Sequence, residues 1–370
     1  MTGRVTPASE LCRVRIDAAP PSVEWAAGRE VTVPRDLLDG VTSNTVDLCT
    51  LPRPPMRAAA DLRLRAAFTD TPPLSSRLPF SYQRVPAPLR SLIARRMGRM
   101  HGREGEWAQF PGWPLDLSAD MLADWALDLP SSARQPAPVL VTHDIDSPEG
   151  LRNLVDRFLP LVEAHGARIT AYVVPCAWPL DHGLLRDVAA RGHAVGVHGY
   201  DHANRTPFAG DTERRRRIAA GREALAVYGP QGYRAPSLLR TARLLADLAP
   251  HYRYDSSIPT AGGPFPVPNN GCASARPFRV GAMLELPVTL PRDGSLLYLG
   301  YSPVQILGLW TSLAADIAAS GGIVVLLTHC EERFSGSPAM LRTFSGFLEA
   351  VARSRLFTWS TPEQVARDAA

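Results

Sequence analysis

The stretch Pro138-Val139-Leu140-Val141-Thr142-His143-Asp144-Ile145-Asp146 holds three aliphatic residues, then a polar run that ends on two carboxylates. An apolar run this short, bounded by proline on one side and polar residues on the other, predicts a strand buried on both faces. Downstream of it the chain keeps one rhythm. Apolar residues at helical spacing predict helices over 151–165, 183–191, 212–228, 241–248, 304–320 and 339–354. Between them, short apolar runs predict strands at 169–174, 194–197, 232–233, 252–254, 283–288, 323–327 and 357–358. Strands alternating with helices of this length imply parallel βαβ units, hence an α/β fold. Seven or eight strands so regularly spaced fit a closed or nearly closed barrel better than one open sheet.

In such barrels chemistry gathers at the C-terminal ends of the strands. The polar residues of this chain fall there. His143, Asp144 and Asp146 follow the first strand, and His198-Gly199-Tyr200-Asp201-His202 follows the third. Arg234-Ala235-Pro236-Ser237 follows the fourth, Asp255-Ser256-Ser257 the fifth, and Thr328-His329 the late apolar strand. In D-x-D, side chains two apart on a strand share a face, so Asp144 and Asp146 reach one centre while Ile145 packs behind them. One can bind a metal while the other accepts a proton from water. The pair His198-x-x-x-His202 fits one face of a helical turn, so both imidazoles can reach one ion. A carboxylate completes a two-His, one-carboxylate set with positions left open for water and substrate.

Asp144-Ile145-Asp146, His198-x-x-x-His202, Arg234-x-Pro236 and Leu327-Thr328-His329, in this order and at these strand ends, resemble the polysaccharide deacetylase (NodB-homology, carbohydrate esterase 4) family. The resemblance spans about residues 138–365. It implies a distorted (β/α)7 barrel over 137–370 and a divalent-metal site, zinc first, with cobalt, nickel, iron or manganese also able to serve. It further implies Asp146, His198 and His202 as ligands, Asp144 as general base, Arg234 as the residue that holds Asp144, and His329 as general acid. A backbone N–H near Pro236 and Ser237 would stabilise the oxyanion, and His143 is expected as an added titratable group beside the substrate. Three departures bear on the substrate: His143 with the spacer Ile145, Ser237 where the family commonly has tyrosine, and Cys330 where aspartate is common. The implied reaction is removal of an N-acetyl group from an amino sugar. The alternatives are a cyclic amide or imide hydrolase on the same scaffold, or an inactive barrel that binds sugar or protein.

Residues 1–136 have no strand–helix rhythm and are punctuated by proline, from Pro20-Pro21 to Pro88. This zone is expected to be an irregular accessory segment packed on the barrel, with a few short strands, such as the alternating run Cys12-Arg13-Val14-Arg15-Ile16, and short helices at 88–100 and 118–127. Trp107, Phe110, Trp113 and Trp125 would anchor it. No apolar run approaches the ~20 residues a membrane-spanning helix needs. Five scattered cysteines with no C-x-x-C pair point to thiols and a cytoplasmic location. Net charge is +4 with every fixed cation an arginine, and the densest runs are 90–99 and 214–217. The run at 214–217 reads as a solvated helix face, and no nucleic-acid partner is expected.

Overall fold

The computed structural model describes residues 11–15, 22–25, 29–32, 45–47, 68, 72–77, 85–104, 113–127, 136–261 and 271–369. In the N-terminal zone, strands β1 (Leu11–Arg15), β2 (Ser22–Trp25), β3 (Arg29–Thr32) and β4 (Thr45–Asp47) form an antiparallel sheet in the order β3-β2-β1-β4. The few strands expected in this zone thus pair with one another in a small sheet. Antiparallel neighbours need only short strands and tight turns, so the proline punctuation that argued against regular structure is compatible with them. Helices α1 (Leu74–Arg77), α2 (Ala87–Glu104) and α3 (Ser118–Leu127) follow. Trp113 packs on the main core, whereas Trp107 and Phe110 lie outside the described residues.

The barrel comprises β5 (Ala137–Ile145), β6 (Ile169–Val173), β7 (Ala194–His198), β8 (Gly232–Arg234), β9 (Tyr254–Asp255), β10 (Phe278–Val280), β11 (Met283–Glu285), β12 (Val324–His329) and β13 (Phe357–Trp359). Seven of these run parallel in the order β11-β9-β8-β7-β6-β5-β12, with β10 antiparallel on β11 and β13 on the free start of β5. No ladder joins β11 to β12. The gap is closed by an extended segment, in which Thr289 Oγ1 accepts from the Val325 N–H (2.7 Å) and donates to the Ile323 carbonyl (3.0 Å). On its other side, the Val288 N–H donates to the Ile258 carbonyl at 2.9 Å. The result is a distorted (β/α)7 barrel.

The first helix after β5 is α4, which runs through Pro148–Asn153, a π-helical turn at Leu154–Phe158 and Leu159–Glu163. Pro160 sits just past that turn; lacking an N–H and crowding the carbonyl four residues back, proline favours such a break in the ladder. The remaining outer helices are α5 (His182–Ala190), α6 (Asp211–Ala224), α7 (Ala242–Leu248), α8 (Asp293–Leu299), α9 (Pro303–Ala319), α10 (Pro338–Arg353) and α11 (Pro362–Asp368). Along β5, Val139, Val141 and Ile145 join the core under the helices, whereas Leu140 joins the barrel interior with Tyr172, Tyr254, Ile323 and Val325. Two tyrosines fill so much of that interior that the strands facing them carry glycine. A Cβ on Gly232 would overlap the Tyr254 ring, and one on Gly196 would lie 2.7 Å from Tyr172.

The N-terminal helices are tied to the barrel at several points. Asp120 accepts from the Ser274 hydroxyl and, at 2.8 Å, from the Ala275 N–H, and Asp124 pairs with Arg276. Helix α2 packs against α8, and Asn204 Nδ2 donates to Ser75 Oγ at 3.1 Å.

Candidate metal centre and active site

Parity along β5 sets the site. Thr142 and Asp144 face the barrel interior, as Leu140 does, and Asp146 continues that side just past the strand. Asp146 Oδ1 lies 3.6 Å from His198 Nε2 and 3.4 Å from His202 Nε2, and the two imidazoles meet edge to face with centroids 5.2 Å apart. One donor atom from each of Asp146, His198 and His202 lies within 4.8 Å of the other two. His198 ends β7. His202 does not follow on a helical turn, as its spacing suggested: the chain after His198 is a bent loop with Gly199 at φ +68° and His202 at φ +54°. Glycine is needed at 199 for a second reason, because a Cβ there would lie 2.5 Å from the Pro236 ring.

These three residues fit a metal ion. Asp146 Oδ1 is buried with no hydrogen-bond partner, which in a low-dielectric site is costly unless a cation compensates it. His198 Nδ1 lies 3.0 Å from the Arg234 carbonyl, which can only accept, so Nδ1 carries the proton and the Nε2 lone pair faces Asp146. Burial lowers the pKa of His202 to about 4, against the opposing pull of Asp146, so its ring is neutral and able to ligate at pH 7. Burial acts to raise the pKa of Asp146, but His202 and His198 outweigh it and bring it to about 2.

Asp144 stands beside this cluster, with Oδ2 3.6 Å from His198 Nε2 and Oδ1 accepting from Arg234 at 3.1 Å. Arg234 is fully buried, and each of its nitrogens is engaged. Nε donates to the Ser256 carbonyl (2.8 Å), one terminal nitrogen to the Ser256 hydroxyl (2.8 Å), and the other to Thr142 Oγ1 (2.9 Å) as well as to Asp144. The guanidinium lies over the Tyr172 ring, 4.1 Å from its centroid. A cation so enclosed can be held only by this full set of acceptors and the aromatic face below it.

His329 and Asp144 are neighbours across the β12–β5 ladder. The Nδ1 of His329 lies 2.7 Å from Asp293 Oδ1, its backbone N–H donates to Asp293 Oδ2 (2.8 Å), and Ser335 donates to the same oxygen (2.7 Å). Burial opposes protonation of His329, yet Asp293, with lesser help from Asp146 and Asp144, raises its pKa to about 9. With Nδ1 fixed on Asp293, Nε2 is the nitrogen left to act on a substrate.

His143 lies on the face of β5 opposite Asp144 and Asp146. It shares the outer face with Val141 and Ile145, is fully buried, bonds Thr328 Oγ1 through Nδ1 (2.8 Å) and packs edge-on against Phe158 and Phe344. Burial takes its pKa down to about 3, so it is a neutral core residue. Pro236 and Ser237 lie on a 3-10 turn, Pro236–Leu238, directly after Arg234, and Ser237 and Leu238 both adopt positive φ (54° and 56°). Two consecutive non-glycine residues in that region store strain next to the site, as functional turns often do. Glu331 had no signal in the sequence beyond standing two residues after His329. Its carboxylate is buried and accepts from the Asp146 N–H (3.2 Å) and the Ser147 hydroxyl (2.7 Å), bracing the backbone of a metal-ligand candidate. Burial and the nearby Asp146 carboxylate push its pKa up.

Residues 132–251 match the family model for polysaccharide deacetylases, a span that holds Asp144, Asp146, His198, His202 and Arg234 but ends before Asp293 and His329. No curated protein matches the sequence. Among solved structures, one assigned by name to the polysaccharide deacetylases, from Mycobacterium smegmatis, is 19% identical and superposes with a TM-score of 0.51, covering 64% of this chain and 91% of that one. One from Pseudomonas aeruginosa PAO1, assigned by name to the same group, is 16% identical, with a TM-score of 0.50 over 63% of this chain and 91% of its own. The Puue allantoinase structure is also 16% identical, with a TM-score of 0.50 over 69% of this chain and 97% of its own. At these identities the structural likeness establishes the shared fold.

Proposed function

We propose that this protein is a metal-dependent amidohydrolase of the polysaccharide deacetylase kind, whose family model matches residues 132–251, and that it removes the N-acetyl group of an amino sugar. One observation carries the reading: an Arg234-held carboxylate and an Asp293-held imidazole, neighbours across the ladder, stand beside the Asp146–His198–His202 cluster. A binding module needs none of these pairs, and hydrolysis of an amide needs both. A divalent ion held by the cluster, zinc by preference for two nitrogens and one oxygen, supplies Lewis-acid activation of water and of the acyl oxygen.

The chain's own residues handle the protons. Arg234 occupies Asp144 Oδ1 and leaves Oδ2 turned toward the cluster, where it takes a proton from the attacking water. As the C–N bond breaks, protonated His329 gives its Nε2 proton to the leaving nitrogen, because an amide anion is too poor a leaving group to depart unprotonated. Water's oxygen ends in acetate and the sugar keeps a free amine. The reading also places the enzyme in the cytoplasm, supported by Cys176, Cys272 and Cys330 standing as free thiols.

The test is acetate release from a panel of N-acetylated sugars and nucleotide sugars by protein of measured metal content, with a cyclic amide such as allantoin included. Release from a sugar that stops on chelation and returns with added zinc supports the reading. Turnover of the cyclic amide alone, or none by fully metallated protein, overturns it.

A further inference from the structure

Helix α2 (Ala87–Glu104) presents its apolar residues the wrong way round for a helix of a globular protein. Among its described side chains the small Ala94 is buried, while Leu89, Leu92 and Ile93 are 47%, 65% and 48% exposed. Positions i, i+3 and i+4 share one face, so these three form an apolar stripe toward solvent. Arg96, four residues after Leu92 and three after Ile93, lies on that same face and Arg95 at its edge, and both are exposed, with stems long enough to carry the guanidinium away from an apolar surface. On α1, Leu74 is 81% exposed and Arg77 is exposed as well.

The charge of the chain is concentrated here. Residues 74–104 hold seven arginines and a single acid, Glu104, which leaves 33 basic against 35 acidic side chains in the rest of the protein. The net positive charge therefore comes from this segment. Both helices are tied to elements of the active site: Ser75 bonds Asn204 in the loop that carries His202, and α2 packs on α8, which begins with Asp293.

We propose that the exposed face of α2, with Leu74 and Arg77 of α1, docks on the anionic surface of a lipid bilayer. The helix would lie in the plane of the interface, with Leu89, Leu92 and Ile93 among the acyl chains and the arginines on lipid phosphates. Charge selects this occupant. A nucleic acid satisfies the arginines but leaves the aliphatic stripe in water, and a second copy of the chain opposes one cationic face with another.

Sedimentation of the full-length protein with phosphatidylglycerol–phosphatidylcholine vesicles, against pure phosphatidylcholine vesicles, tests the proposal. Binding is expected only with the anionic vesicles. Arg95→Gln with Arg96→Gln should lower the partition coefficient roughly 30-fold. Leu92→Asp should abolish binding, with metal content and circular dichroism unchanged because the side chain is exposed. Should Leu92→Asp fail to fold, the arginine pair decides alone. Three results overturn the proposal: no preference for anionic vesicles; binding to DNA or heparin that survives Leu92→Asp; or a dimer by light scattering that Leu92→Asp dissolves.

Discussion

At the floor of the barrel the Tyr254 hydroxyl donates to Glu363 at 2.7 Å, Thr170 donates to the same carboxylate, and the Tyr172 and Tyr254 rings fill the interior above. At the mouth of the same barrel, Asp146 Oδ1 is buried without a hydrogen-bond partner, the Nε2 atoms of two imidazoles lie 3.6 and 3.4 Å from it, and Ser237 and Leu238 hold strained backbone. Both ends are buried and polar. The floor is satisfied internally and needs nothing more, whereas the mouth is completed only by what binds there. Between the two lies Arg234, stacked on Tyr172 below and bonded to Asp144 above. The difference predicts that floor substitutions cost stability and mouth substitutions cost metal or turnover.

The largest effect should come from the ligands. His198→Ala or His202→Ala should abolish bound metal by elemental analysis and cut acetate release on the order of 10³-fold or more, since a Lewis acid contributes several kcal/mol. Next is the acid: His329→Ala should keep its metal and slow amide hydrolysis roughly 10²–10⁴-fold, with much less effect on an activated ester that leaves unprotonated. A smaller effect separates His329 from its partner. Asp293 is the main group raising that pKa to about 9, so the acid is present below that value and lost as pH rises through it. Asp293→Asn should move the alkaline limb of the kcat/KM profile to lower pH; an unmoved limb would detach Asp293 from the acid. The smallest catalytic effect belongs to the floor. Glu363→Ala leaves the Tyr254 hydroxyl buried without its partner and should cost about 1–3 kcal/mol of stability in denaturant melts. Metal content should be unchanged; loss of metal in this variant would erase the distinction between the two ends.

Much of this contrast is legible in the sequence, because the mouth is written in polar residues that interrupt apolar strands. Asp144, Asp146, His198, His202, Arg234 and His329 all stand at strand ends, where a barrel collects them. His143 was misplaced by the same reasoning applied too loosely. Period-2 alternation puts it with Val141 and Ile145 on the outer face, whatever its polarity. One partner of the site was harder to see. Glu331 lies 185 residues from Asp146, from whose N–H it accepts, and a contact across that distance leaves no local spacing to read. The short helices α8 and α11 were missed because seven residues carry too few apolar positions to show a helical period, and the pairing of the N-terminal strands into one sheet leaves no local signal.

The two carboxylates of β5's end, two residues apart, give the most direct test of the central claim that one holds metal and the other moves a proton. Metal stoichiometry and acetate turnover are measured on Asp144→Asn and Asp146→Asn side by side. Asp144→Asn should retain one divalent ion per chain and lose turnover, while Asp146→Asn should lose the ion. An Asp144→Asn protein without metal, or an Asp146→Asn protein that keeps both metal and turnover, would contradict the account.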